Sequence, residues 1–478
     1  MTDPRQPDLG QAREALQAGH YIQAEALYRQ LAAQDPGEPG LHLALGRIYE
    51  QLDRIDDAIA AYGRALDLDP QIPEALDRCH RCIELAPNAP ERYNHLAVLM
   101  AMAGRPDRAE ACLLRAIDLE PRYAIAHNNL GLLLKSQGRF AEALDHYRRA
   151  VTIRPDYAQA QWNLALALLL TGRFEEGWSR FQWRRRADLD AIPEHQRHEP
   201  PTWDGSPFRG RRLLIRTEQG LGDNLQFVRY VPLVKRLGGT VILEAPPPLM
   251  DLFGQIPQID RLVEAEPDGR IEADHDLVVY SMDLPAIFRT RLETIPSDHP
   301  YLYADIARAE RWRVRLRGEG LRIGIAWAGS PHHANDHNRS CPVDLFASLA
   351  AVPGVRLYSL QKGHGSEQLH TLAPGIVEDL GPDLHDLMDT AAVLDCLDLA
   401  ISVDTAVLHL AGAMGRPAWG LLPFVPDWRW LLDRADSPWY PSLRLFRQGG
   451  PGDWAGPFER VREALVRAAG SSPGGPRS

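Results

Sequence analysis

The sequence predicts an α-helical repeat array followed by an α/β region built in two halves. Prolines close similar segments at Pro36, Pro70, Pro87, Pro121 and Pro155; three of the four gaps are 34 residues and one is 17. From residue 212 onward, short apolar runs alternate with helix-like stretches, the pattern of parallel strands covered on both faces. That pattern pauses after Tyr301–Asp305 and restarts at residue 322. Two Rossmann-like halves facing a cleft are expected, with ligands at the carboxyl ends of the strands. The divisions expected are a repeat array over 5–186, a linker over 187–210, a first half over 211–305, a second over 320–469 and a disordered tail over 470–478.

Composition narrows the function classes. At ~150 residues per domain, 478 residues suit about three domains. Apolar residues make up 45% of the chain, enough for a sizeable core. A net charge of -11 argues against a broad nucleic-acid surface, which draws on clustered Lys and Arg. The run LALALLL at Leu164–Leu170 is far shorter than the ~20 residues that span a bilayer. The polar start MTDPRQPDLG has no apolar core of a secretory signal, and there are five cysteines. A cytoplasmic setting is the expectation.

The segment Ala124–Pro155 displays the repeat best, through Leu130, Gly131, Gly138, Ala143, Tyr147, Ala150 and Pro155. Small residues at Gly131 and Ala143 let two helices cross closely, Tyr147 fills the space between them, and Pro155, lacking an N–H, stops the second helix. The same register gives Gly46, Ala58, Tyr62, Ala65 and Pro70 earlier in the chain. A 34-residue period of this kind resembles the tetratricopeptide repeat. The 17-residue gap leaves room for one helix instead of two at 71–87. Cys79 and Cys82 there fall on packing positions, without a second pair to complete a zinc site. Such arrays bind peptides or proteins, or dimerise; the sequence leaves both open. Trp178, Trp183 and Arg184–Arg186 read as a cap on the last repeat.

In the α/β region, strands are expected at 212–216, 240–245, 276–280, 322–329, 355–361, 397–404 and 417–423, with helices over 223–237 and 405–414. The turn RTEQGLGDNLQFVRY at 216–230 has Gly220 and Gly222, but Leu225 replaces the third glycine of a dinucleotide loop. SVDTAVLHLAGAMGRP at 402–417 is the better anion site. Asp404 or Ser402 would cap a helix starting at Thr405, whose free N–H groups would meet an anion, and His409 lies one turn on. An ordinary βα unit with an acidic cap and a core histidine has the same pattern.

GLGDNLQF at 220–227, WAGSPHHANDHNRS at 327–340, SLQKG at 359–363 and SVDTAVLHLAGAMGRP at 402–417 together resemble glycosyltransferase family 9, the ADP-heptose:lipopolysaccharide heptosyltransferases. The resemblance runs over roughly 210–465 and implies a GT-B fold and metal-independent, inverting transfer from a nucleotide sugar, with no further cofactor. It implies donor-diphosphate contacts at Asp404, Thr405, Ala406 and His409, with Arg339 and Lys362 as cations and Glu367 at the nucleoside. Ala406 stands where many members have glycine, keeping the N–H with less room. Asp223 is the implied general base, which an attacking hydroxyl requires, and helix N-cap is its structural alternative. Glu218 is a reserve base, Gln219, Gly220 and Gly222 line the acceptor side, and Gln226 and Arg229 read as acceptor contacts or plain surface.

Asp274 and Asp276 precede their apolar run instead of following it, and Asp188 and Asp190 fall in the linker, so neither pair suits a metal-dependent transferase. His332, His333 and His337 suit a polar cleft loop, and Trp428, Trp430, Trp439 and Tyr440 suit packing. Cys341 and Cys396 have no evident base partner. The acceptor expected is a protein or glycan, the array recruiting it or a protein partner. The array also resembles that of protein O-GlcNAc transferases, which makes UDP-GlcNAc the second donor. A scaffold that binds nucleotide without turnover is the reading from another class.

Overall fold

The computed structural model describes residues 8–69, 72–84, 88–187, 202–266, 273–333 and 335–470. Pro70, Pro87, the side chains of Cys79 and Cys82, the linker pair Asp188 and Asp190, and the tail from residue 471 lie outside them. The chain divides into two compact units, Met1–Leu164 and Ala165–Ser478.

The first unit is helical. Helix pairs α1 (Leu9–Gln17) and α2 (Tyr21–Gln34), α3 (Pro39–Gln51) and α4 (Ile55–Leu68), α6 (Pro90–Met102) and α7 (Pro106–Leu119), and α8 (Ala124–Ser136) and α9 (Phe140–Ile153) follow one another. A single helix, α5 (Pro73–Glu84), occupies the short gap. A side chain at Gly46 would come within 2.3 Å of the Tyr62 ring, and one at Gly131 within 2.6 Å of Tyr147. Both tyrosines are fully buried; the two helices of a repeat therefore meet where only glycine fits. Positive φ recurs at Gly19, Asp53, Gly104, Gly138 and Gly172. Aspartate at position 53 accepts the left-handed turn better than most side chains.

Helix α10 (Ala158–Leu170) runs across the unit boundary, and α11 (Phe174–Phe181) and α12 (Arg184–Ala187) follow in the second unit. Two fully parallel sheets follow. The first has β1 (Arg212–Arg216), β2 (Thr240–Ala245), β3 (Arg261–Glu264) and β4 (Leu277–Tyr280) in the order β3-β2-β1-β4. The second has β5 (Leu321–Ala326), β6 (Val355–Ser359), β7 (Val377–Asp379), β8 (Leu399–Val403), β9 (Ala418–Leu422) and β10 (Leu443–Arg447) in the order β10-β9-β8-β5-β6-β7. Counted from β5, that is the doubly wound order whose ligand crevice opens where the winding reverses. The reversal lies between β5 and β8 in the larger sheet, and between β1 and β4 in the smaller.

Leu214, Ile242, Val263 and Val278 form the smaller core. Ile323, Ile325, Trp327, Ile401, Val403, Leu421 and Phe446 form the larger, against Phe458, Val461 and Leu465 of the closing helix (Ala455–Gly470). Strands β3, β7 and β10 were not among those expected, being short or mixed in polarity. Strand β5 ends at Ala326, not at residue 329, because the Trp327 and Ala328 N–H groups leave the ladder for Gln361 Oε1, each at 3.1 Å. The helix expected over 223–237 begins at Leu221 as α13 (Leu221–Phe227) and breaks into two short turns up to Arg236. Among the described residues no helix is long and apolar enough to cross a membrane.

Candidate active site

The crevice of the larger sheet is built by the loops after β5 and β8. After β8, Thr405 takes the cap position of α14 (Ala406–Ala413), and no side chain caps the helix. Ser402 and Asp404, the two expected caps, are used otherwise. Ser402 Oγ donates to the Val403 carbonyl and pairs with Thr405 Oγ1 at 2.8 Å. Asp404 turns its carboxylate to His409 Nε2, 3.6 Å away. The first turn of α14 is therefore without a side-chain cap, and its N–H groups form the positive end of the helix dipole.

Arg339 borders this end. Its guanidinium donates to the Asp404 carbonyl at 3.2 Å and to Asp336 Oδ1 at 3.0 Å. The loop from β5 can pass so close because residue 329 is glycine: a side chain there would lie 2.3 Å from Arg339. Lys362, expected beside Arg339, donates instead to the carbonyls of Leu384 and His385. Glu367 is exposed on the turn Ser366–Thr371.

His409 has a neighbour at each ring nitrogen. It is buried, Nδ1 pairs with Tyr440 Oη at 2.8 Å, and Nε2 faces Asp404. Burial pushes the Asp404 carboxyl up, but His409, with Arg339, outweighs it and holds the carboxyl below its ordinary range. His409 also touches the facing half: a side chain at Gly222 would lie 2.8 Å from its ring. Gly222, in the first turn of α13, thus leaves no room for a side chain against His409.

On the facing side, Asp223 sits at the third position of α13, not at its cap. Its Oδ2 accepts the Gly220 N–H at 3.0 Å, and its Oδ1 pairs with Arg429, which reaches over from the larger half. Arg429 also donates to Asp427 Oδ1 at 2.8 Å and to Gln226 Oε1, and its guanidinium lies 4.5 Å from the Trp428 ring. Gln226 and Arg229, read as acceptor contacts or surface, are both buried. Arg229 donates to the Trp439 carbonyl and to Tyr301 Oη, each at 2.8 Å, and Tyr301 donates on to the Leu225 carbonyl. These side chains hold the halves together.

Glu218, the reserve base, is 5% exposed and bonded to Arg184 at 2.5 Å. Burial pushes its carboxyl up, against the pull of Arg184. Gln219 and Gly220 are exposed, Gln219 with a φ of 57°. His333 on the loop after β5 is pushed below the ordinary imidazole range by desolvation and Arg339, while Asp427, Asp404 and Asp223 pull it up. Trp428, Trp430, Trp439 and Tyr440 are buried in packing. The sequence reading missed Arg429 and Gln361. The second receives two loop N–H groups and donates to the Ala328 and His364 carbonyls; its only signal was its place within SLQKG.

Comparison with known proteins joins this geometry to a family. Residues 9–73 and 102–158 match the tetratricopeptide repeat, as do residues 158–177. Residues 342–423 match glycosyltransferase family 9 (heptosyltransferase), a span that includes α14 and the loop after β8. The chain joins tetratricopeptide repeats to a glycosyltransferase family 9 domain. The two parallel-sheet halves agree with the GT-B arrangement. Protein FlbA of Caulobacter vibrioides is 31% identical over 317 residues, 62% of this chain and 53% of that protein. Cellulose synthase operon protein C of Pseudomonas fluorescens is 38% identical over 68 residues, 14% of this chain and 5% of that protein. The chain thus spans about half of the first relative and much less of the second. Among solved structures, the glycosyl transferase family 9 protein from Veillonella parvula is 15% identical, covering 55% of this chain and 99% of that one at a TM-score of 0.41. MamA is 24% identical, covering 38% and 95% at 0.22.

Proposed function

We propose that the chain transfers a sugar from a nucleotide-sugar donor to a hydroxyl of a protein or glycan acceptor, with inversion and without a metal. The open N-terminus of α14 beside Arg339 carries this reading. Departure of a nucleoside diphosphate gathers negative charge, and fixed N–H dipoles with a guanidinium stabilise it without reorganising. Asp223, one residue from the Gly222–His409 contact, would take the proton of the attacking hydroxyl. The anomeric carbon would exchange its bond to the diphosphate oxygen for one to the acceptor oxygen. Asp404 and His409 would orient the loop. ADP-heptose is the first donor proposed and UDP-GlcNAc the second. The repeats would recruit a protein acceptor or partner.

A second reading has one observation in its favour. Asp223 is held by Arg429 and the Gly220 N–H, so both of its carboxylate oxygens already have partners. A domain that binds nucleotide without turnover would tolerate that. Calorimetry with ADP, UDP and GDP, followed by transfer assays on Asp223→Ala, separates the two. Under the first reading a diphosphate binds, and the variant keeps binding while transfer falls ~100-fold or more. Binding without measurable transfer by the wild type supports the second, and no binding at all removes both.

A further inference from the structure

The smaller sheet reverses its winding between β1 and β4, and the crevice there is where such a sheet would take a ligand. The chain fills it with its own arm. Glu218 follows β1, Asp283 follows β4, and Arg184 of α12 bridges them, at 2.5 Å and 2.8 Å. Arg184 is 1% exposed and donates also to the Phe181 carbonyl at 3.2 Å. Arg185 pairs with the other oxygen of Asp283, its guanidinium 4.2 Å from the Tyr280 ring.

We propose that Arg184 is a positioning residue for the loop that delivers Asp223. By clamping Glu218 to Asp283, it holds the segment from Gln219 to Gly222 in place against α14.

Burying two cations and two carboxylates is not an efficient route to stability, since apolar side chains of similar volume do as well or better. What a bonded cluster supplies is a single orientation. The loop it holds needs one. Gln219 has a left-handed φ of 57° without being glycine, a conformation that persists only when its surroundings over-determine it. Only four residues separate Glu218 from Asp223, and Gly222 between them has no space to move toward His409. The arm is itself anchored to both halves. Trp178 Nε1 donates to the Thr290 carbonyl at 3.0 Å, and the Trp178 ring stands edge-on to Trp428, 5.2 Å away, next to Arg429. The end of the repeat array is thereby a built-in part of the acceptor-side half, where the sequence suggested a cap.

The catalytic part of this inference rests on Asp223 acting as the base; the structural part does not. The test uses the full chain with Arg184→Met, Arg184→Lys and Glu218→Gln. Hydrogen exchange should rise ~10-fold or more at residues 218–223 in Arg184→Met while β8 and α14 stay protected, with Arg184→Lys in between. ADP affinity and donor KM should hold within ~2-fold while kcat falls ~10- to 100-fold, the cost of a misplaced reacting group. Glu218→Gln should follow Arg184→Met. Unchanged exchange at 218–223 overturns the proposal, as does exchange rising equally through both sheets. So does an unchanged kcat in the face of a loosened loop. Failure of the wild type to bind any nucleotide would remove the proposed function, and the exchange experiment would still decide the clamp.

Discussion

Removing the Arg429 guanidinium tests how the two halves hold Asp223. In Arg429→Met, Asp223 and Asp427 each lose a partner and Gln226 loses one hydrogen bond. The Arg429 side chain is 8% exposed and Asp223 17%, whereas Asp427 at 34% keeps much of its water. At about 4 Å and an effective dielectric of 20, one pair is worth roughly 4 kcal/mol before desolvation. Methionine returns the desolvation cost of the cation, and the exposed Asp427 pair adds only about 0–1 kcal/mol. A net loss of ~2–3 kcal/mol is expected, consistent with a buried charge left with one backbone N–H. The assay is a double-mutant cycle with Asp223→Asn in urea, followed by tryptophan fluorescence, since Trp428 packs against the guanidinium. A coupling energy of ~1.5–3 kcal/mol is expected. Additivity within ~0.5 kcal/mol would refute the claim that Arg429 holds Asp223.

Gly222→Ala should cost ~1–3 kcal/mol, because its methyl meets a buried histidine ring that cannot yield. Gly220→Ala is the control, its methyl reaching only Asp223 Oδ2 at 3.3 Å; equal thermal shifts would contradict the packing argument. Arg339→Ala should weaken ADP binding ~10- to 100-fold, the worth of a charge-assisted bond, and Lys362→Ala less than ~3-fold; calorimetry finding the reverse order would move the diphosphate to the β6 loop. In the first unit, His127 and His146 face each other at 3.0 Å between Nδ1 atoms. Desolvation, then His127 and Arg149, hold His146 at about 4 against the ordinary 6.5. The unfolded chain binds that proton first, so stability present above 6.5 is lost as pH falls toward 4. For this part-exposed ring the loss is ~1–2 kcal/mol. His146→Gln should flatten the acid slope of the unfolding midpoint; an unaltered slope would exclude His146 as its source.

Local rules made some features legible. The proline period and the Gly131–Tyr147 pairing announced helix pairs, because a repeat packs mainly against itself. Apolar runs such as RLLIR and LDLAISV announced strands, because a parallel strand is buried on both faces. SVDT announced a helix starting after a strand. The same rules misassigned Ser402 and Asp404 as caps, because each is also within reach of a partner that competes for it: Thr405 in one case, His409 in the other. They read Gln226 and Arg229 as acceptor contacts or plain surface and did not foresee their burial, because a polar residue joining two halves looks like one facing water until both halves are present.

By itself the sequence determined the repeat period and the class of each half. These depend on side-chain pattern within about twenty residues. Only the tertiary structure decided which charges meet. Arg184 finds Glu218 across 34 positions, and Arg429 finds Asp223 across 206. Pairings at such distances follow from strand order and helix packing. No local pattern encodes them, and a buried arginine in sequence looks the same as an exposed one.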